Sequence, residues 1–379
     1  MISNKLNANA VSTVVPGYIL GIAPYKAGKP IEELAREFKL DPASIVKLAS
    51  NENPLGLPES ARRAMMGAAG SLARYPDSNG FELKTALARR YGVSADWITL
   101  GNGSNDLLEL ASLALLSPGS AAVYSQYAFV VYRLATQARG ARHIMVAARE
   151  YGHDLVAMLA AIDDDTRLVF IANPNNPTGT FIPAADVVSF LKQVQDRCAD
   201  RVTVLIDEAY TEYLDPELRF ESARWVERFS NLIVTRTFSK AYGLAGLRVG
   251  FATAQPRLTD LLNRVRQPFN VNSLAQAAAT AVLSDTAHLR RTYEVNKEGK
   301  KVLADAFDKL ALRYIPSFGN FVLVQVGDAS RVNQELLKRG VIVRPVASDG
   351  LPEWLRVSIG LPEENARFIQ ALSEILSPS

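Results

Sequence analysis

Between about residues 95 and 280, short and continuously apolar runs alternate with stretches of helical periodicity. The runs cover residues 97–100, 121–124, 144–146, 168–171, 202–206, 232–234 and 249–251, and helical patterns such as 154–162 and 184–195 lie between them. A strand that is apolar at every position, without alternation, must be covered on both faces. Short strands of this kind separated by helices predict an α/β fold, a mostly parallel sheet with helices on both faces. Such a sheet binds ligands beyond the carboxyl ends of its strands. That edge is where the polar residues of interest should collect.

The chain reads differently from about residue 285. A long charged helical stretch, 286–312, precedes apolar runs at 321–324, 341–343 and 355–358, a helix near 331–339 and a closing helix from Glu363. This pattern predicts a small α+β unit. The expected division is a large domain over 46–284 and a small domain built from 285–379 with the N-terminal segment 1–45. No repeat, low-complexity tract or linker rich in Gly, Ser or Pro interrupts the chain.

Composition removes several classes of function. The 379 residues suffice for a large core, and the net charge of +3, with no long basic run, gives no footing for nucleic acid or an anionic membrane surface. No segment reaches the roughly 20 apolar residues of a membrane span. The apolar stretch 14–23 is broken by Pro16-Gly17 and lacks a basic leader, so it reads as a packing segment, against the body or a partner chain. The one cysteine, Cys198, cannot form an internal disulfide, which suits a reducing cytoplasm. His143, His153 and His288 share no ligand spacing, so no metal site is expected.

The stretch Thr237-Phe238-Ser239-Lys240-Ala241-Tyr242-Gly243-Leu244-Ala245-Gly246-Leu247-Arg248 sets one lysine among small residues and hydroxyls, just past a strand. A lysine so placed can hold pyridoxal phosphate as a Schiff base, with Thr237, Ser239 and Arg248 on the phosphate, since the arginine fork matches phosphate oxygens. Asp207 follows the run 202–206, where its carboxylate could keep the cofactor's ring nitrogen protonated. A charge pair at about 4 Å and an effective dielectric of about 20 is worth roughly 4 kcal/mol, enough to hold that proton at neutral pH. Tyr210, three residues on, could donate to the ring's 3′ oxygen. Asn173-Pro174-Asn175-Asn176-Pro177-Thr178-Gly179 forms a rigid turn after 168–171 that could present the Asn176 amide. Gly101-Asn102-Gly103-Ser104-Asn105-Asp106 opens a helix, which makes it an anion site without the third glycine of a dinucleotide fingerprint. Tyr127, beyond 121–124, could stack on a flat ring. Arg356, inside an apolar strand, needs an anionic partner, either a structural carboxylate or a substrate, and Arg344 is a second arginine of this type. Singly, each residue also has a plainer reading: a turn lysine, a capping aspartate, a packed tyrosine.

The order Asn-Pro-Asn-Asn-Pro-Thr-Gly, Asp-Glu-Ala-Tyr, Ser-Lys and Gly-Leu-Arg resembles the class II aminotransferases, within the fold type I pyridoxal-phosphate enzymes. The closest branch it resembles is that of the histidinol-phosphate aminotransferases, on the strings Ala49-Ser50-Asn51-Glu52-Asn53-Pro54, Arg74-Tyr75-Pro76-Asp77, Pro268-Phe269-Asn270-Val271-Asn272 and Leu355-Arg356-Val357-Ser358. The resemblance runs from about Tyr25 onward. Ser125 departs from it, standing where many members have proline, and so does the Ser104-Asn105-Asp106 string.

The resemblance implies that Lys240 attaches pyridoxal 5'-phosphate and serves as the catalytic base. Asp207 would pair with the ring nitrogen, Asn176 and Tyr210 would contact the 3′ oxygen, and Tyr127 would stack on the ring. Ser104, Asn105, Thr237, Ser239 and Arg248 would hold the phosphate, and Tyr75 would reach the cofactor of a partner subunit in a homodimer with shared sites. Arg356, assisted by Arg344, Tyr25 and Asn53, would bind the substrate. The implied reaction is transamination between L-histidinol phosphate and 2-oxoglutarate, in cytoplasmic histidine biosynthesis. An aromatic amino-acid aminotransferase, a phosphothreonine decarboxylase and a non-catalytic cofactor-binding regulator stand as alternatives.

Overall fold

The computed structural model describes residues 15–24 and 28–377. Its strands are β1 (Val46–Lys47), β2 (Ile98–Gly101), β3 (Ala121–Ser125), β4 (Arg142–Val146), β5 (Thr166–Ala172), β6 (Thr203–Asp207) and β7 (Leu232–Thr237). They continue with β8 (Gly250–Ala254), β9 (Tyr314–Ile315), β10 (Phe321–Gln325), β11 (Val341–Ile342), β12 (Arg344–Val346) and β13 (Leu351–Ser358).

Seven strands form the central sheet, in the order β2-β8-β7-β6-β5-β3-β4. Pairings from β7 across to β4 are parallel, while β8 runs antiparallel to both β2 and β7. The sheet is therefore mostly parallel, with helices on both faces. Alternate side chains explain the unbroken apolar runs. Val169, Ile171, Val204 and Ile206 face one core, shared with Phe190, Leu191 and Val194 of helix Ala184–Cys198. Leu168, Phe170, Ala172 and Leu205 face the other, shared with Leu107, Leu108 and Ala111 of helix Ser104–Leu115. Burying each large apolar side chain contributes about 1.5–3 kcal/mol. The edge strand β4 is largely exposed, and Arg142 on it pairs with Asp163 at 2.7 Å, a charged edge that discourages further strand pairing.

The C-terminal part builds a four-stranded antiparallel sheet, β12-β13-β10-β9. Helix Thr286–Lys309, capped by the Asp285 side chain, covers it through Leu303 and Phe307. β1 pairs in parallel with β11, and helix Ile31–Phe38 packs Leu34 and Ala35 on Leu337 and Ile342. The stretch expected to be helical to 312 stops at Lys309, and the short run at 355–358 is the end of a longer strand.

The parallel strands β2, β5, β6 and β7 end at one edge. Because β8 is antiparallel, its start lies at that same edge, which brings Arg248 back beside the residues that follow β7.

Candidate active site

Lys240 sits in the connection from β7 to β8, and its Nζ donates to the Ser50 carbonyl at 2.8 Å. Burial, reinforced by the Arg356 cation, pushes its amine down to about 7. Asp207 ends β6, where the sheet turns its last side chain into the cleft. Its Oδ2 accepts from the Tyr132 hydroxyl at 2.9 Å and its Oδ1 from Thr235 Oγ1 at 3.4 Å. Burial nevertheless pushes this carboxyl up to about 6.

The cleft also holds a cationic group beside a helix start. Ser104 opens its helix directly after Gly103, whose φ is 82°. A Cβ on Gly103 would stand 2.5 Å from Arg248 Nη2, so the glycine is what admits the guanidinium to the helix start. Arg248 takes a left-handed backbone, φ 57°, and its Nη1 donates to Ser239 Oγ and the Ala245 carbonyl, both at 3.1 Å. Thr237 Oγ1 accepts from the Ser239 amide at 3.1 Å. A helix start, two hydroxyls and a guanidinium together suit a dianion such as phosphate.

A third group closes the cleft from the C-terminal sheet. Arg356 donates from Nη1 to Asn176 Oδ1 at 2.5 Å and from Nη2 to the Ala49 carbonyl at 2.7 Å. In register, Arg344 on β12 lies directly opposite Arg356 on β13. Like charges so placed repel unless an anion lies between or beside them. Asp349 is one such group: burial raises its carboxyl pKa while Arg344, Arg356 and Arg133 oppose the rise. Tyr210 accepts at its hydroxyl from Asn51 Nδ2 at 2.9 Å, and Asn51 is pinned by Ser358 through two contacts of 2.8 Å.

One cleft of about 220 Å³ thus gathers Lys240, Asp207, Tyr210, Asn176, Arg344 and Arg356. Ser104, Asn105, Thr237, Ser239 and Arg248 line it too. Pyridoxal phosphate fits this donor set. Its phosphate matches the helix start and Arg248, its ring nitrogen matches the buried acid, and its aldehyde matches the lysine. Among the described residues, no cluster of histidine, cysteine or carboxylate side chains could hold a metal ion.

Residues 43–372 match the aminotransferase class I and II family. The chain belongs to that family. It is 63% identical over 365 residues to histidinol-phosphate aminotransferase 1 of Cupriavidus pinatubonensis, covering 95% of this chain and 96% of that one. Histidinol-phosphate aminotransferase 2 of Ralstonia nicotianae is 62% identical, covering 96% of this chain and 97% of the relative. Among solved structures, histidinol-phosphate aminotransferase from Sinorhizobium meliloti in complex with pyridoxal-5'-phosphate superposes with a TM-score of 0.86 at 28% identity, over 96% of this chain and 98% of that one.

The aminotransferase cleft departs from the sequence expectation in two side chains, and a third lies outside the described residues. Tyr127 does not line it. Its ring stacks near Tyr151, with centroids 5.8 Å apart, and packs toward Trp354 and Leu351 of the smaller sheet. Phe129 stands in the cleft instead, two residues later, because the chain turns there into helix Val130–Ala138. Asn53 also faces away. Its Nδ2 donates to the Ala241 carbonyl at 2.8 Å and to Thr292 Oγ1 at 2.9 Å, so it ties the Lys240 connection to the long helix rather than meeting a substrate. Tyr75, expected at a partner subunit's cofactor and not at its own, lies outside this cleft, 82% exposed and stacked on Phe269 at 4.6 Å. Tyr25 lies outside the described residues. Sequence reasoning missed Phe129 and Tyr132. Their spacing of three residues at a helix start, which puts both on one face, was the available signal.

Proposed function

We propose that this chain is a pyridoxal-phosphate-dependent aminotransferase acting between L-histidinol phosphate and 2-oxoglutarate, giving imidazole-acetol phosphate and L-glutamate, a step of histidine biosynthesis. The observation that carries the chemistry is the buried, depressed-pKa Lys240 amine in one cleft with a buried acid and a helix-start anion site. The substrate follows the names of relatives up to 63% identical over nearly the full chain.

When bound, pyridoxal phosphate supplies an electron sink for charge developing at the substrate's α-carbon. Lys240 is the residue that would attach it and then, as a neutral amine, carry the proton from that carbon. Asp207 would hold the ring nitrogen's proton. Asn176 and Tyr210 would orient the ring at its 3′ oxygen, and Phe129 rather than Tyr127 would cover its face. Ser104, Asn105, Thr237, Ser239 and Arg248 would fix the phosphate. Arg356 and Arg344 would receive the substrate's anionic group, and a guanidinium fork fits both the phosphate of one substrate and the carboxylate of the other.

The test is a panel of L-histidinol phosphate, phenylalanine, tyrosine and O-phosphothreonine with 2-oxoglutarate. Histidinol phosphate should give the highest kcat/KM; a higher value for phenylalanine would transfer the assignment to aromatic amino acids.

We further infer a homodimer. An exposed Tyr75–Phe269 stack supports it, because such aromatic surface is characteristic of contact patches. Sedimentation should give a dimer that Tyr75→Ala weakens, and a monomeric wild type at micromolar concentration would rule it out. A cytoplasmic location is consistent with the unpaired Cys198; among the described residues no helix is long and apolar enough to cross a membrane. The division at 46–284 against 1–45 with 285–379 stays our reading, supported by the Asp285 cap where the long helix begins.

A further inference from the structure

We propose that Tyr132 is a positioning residue that acts through Asp207: its hydroxyl keeps that carboxylate ionised and aimed, and thereby fixes the proton on the cofactor's ring nitrogen. The inference rests on the cofactor reading above.

Asp207 has an unusual difficulty. It must be an anion, yet it is buried at the end of a strand in the middle of the sheet. Desolvation favours its neutral form, and Glu208 beside it adds like charge. What favours the anion are donors. Thr235 on β7 offers one at 3.4 Å, and the Ala209 amide another. Lys240 adds a cation when protonated. The shortest side-chain donor is Tyr132, at 2.9 Å. A hydrogen bond to an ionised acceptor is about twice as strong as a neutral one.

Tyr132 is built for that single purpose. It is fully buried on helix Val130–Ala138, its ring stacked on Phe170 at 4.6 Å and 6°, with Phe129 edge-on at 6.0 Å. The two rings fix the direction of the hydroxyl. Burial and the neighbouring carboxylate hold the phenol pKa well above its ordinary value, so the group is a donor at every working pH. The same helix start therefore supplies Phe129 to the cleft and Tyr132 to the acid behind it. A purely structural tyrosine would need a partner for its hydroxyl, but it would not need that partner to be the one carboxylate in the cleft.

Tyr132→Phe removes only the hydroxyl and keeps the stacked ring. The experiment compares wild type, Tyr132→Phe, Asp207→Asn and the double variant, each reconstituted with pyridoxal phosphate. The readouts are the pH titration of the bound cofactor's absorbance and its dissociation constant. With less positive charge held at the ring nitrogen, the bond to Lys240 should keep its proton to higher pH. Tyr132→Phe should move the midpoint up by about one unit and weaken binding about tenfold, the equivalent of one charge-assisted hydrogen bond. In the Asp207→Asn background the same change should do nothing further. A wild-type midpoint in Tyr132→Phe, or an equal shift with and without the Asp207 charge, overturns the inference alone. Failure of the wild type to bind pyridoxal phosphate overturns the cofactor reading and the inference together.

Discussion

As the proposed base, Lys240 would work only as a neutral amine, and its surroundings lower its pKa before any cofactor is bound. Its pKa is lowered to about 7, first by burial and then by Arg356, so the neutral form dominates above that pH. In the cofactor-free protein this amine should titrate near 7, and Lys240→Ala should lose multiple turnover altogether. An amine that titrates at its ordinary value of 10.5 in the cofactor-free protein would contradict the depressed pKa, and a turning-over alanine variant would remove the lysine from the mechanism. Lys240, Asp207 and Arg248 were legible because each follows or precedes an apolar run, and the ends of such runs face one ligand edge. Phe129 was not, because the residue after a strand and the residue two further on point in different directions once the chain turns into a helix. Nothing in the string around Asn53 distinguished a side chain facing the cleft from one fastened to the long helix.

At the scale of elements, β12 and β13 would carry the substrate end. Arg344 and Arg356 are cross-strand neighbours, so on the proposed reading the strand pair would receive an anion as a unit and not as isolated charges. Arg356→Ala should raise KM for both histidinol phosphate and glutamate about 10–100-fold, the value of one charged hydrogen-bonding group. Cofactor affinity, measured by fluorescence, should change little, since the proposed phosphate site is built on Ser104 and Arg248. Equal losses in both would make the arginine a strut for Asn176 and the Ala49 carbonyl. The central sheet was readable because burial on both faces leaves a continuous apolar signature. The small sheet was readable only as α+β, because strands of two or three residues such as β9, β11 and β12 carry no periodicity and their order is set by tertiary contacts.

For the whole molecule, the cleft is a source of pH-dependent stability. The folded pKa of Asp207 is raised to about 6, so the folded state holds an extra proton between roughly pH 4 and 6. Stability from this group is present at low pH and is lost as pH rises through that window. Lys240 has a lowered folded pKa, so the unfolded chain holds the extra proton from about 7 to its ordinary value of 10.5. Stability from this group rises with pH over that range. Cofactor-free protein should thus gain stability near neutrality from Asp207→Asn, by on the order of 3 kcal/mol, and Lys240→Met should flatten the alkaline rise. Chemical denaturation at pH 5, 7 and 9 measures both. No difference between wild type and either variant at pH 7 would mean that water reaches these groups.

The pairing of β1 with β11 has a temporal consequence. Val46 aligns with Val341, 295 residues later in the chain. At about 5–20 residues per second of synthesis, some 15–60 s separate their appearance. Ser50 and Asn51, which form one wall of the cleft, are fastened through Lys240, Asn320 and Ser358 and wait with that strand. A nascent chain therefore completes the central sheet well before it has a finished catalytic cleft, and the earliest residues of the wall are among the last to be seated.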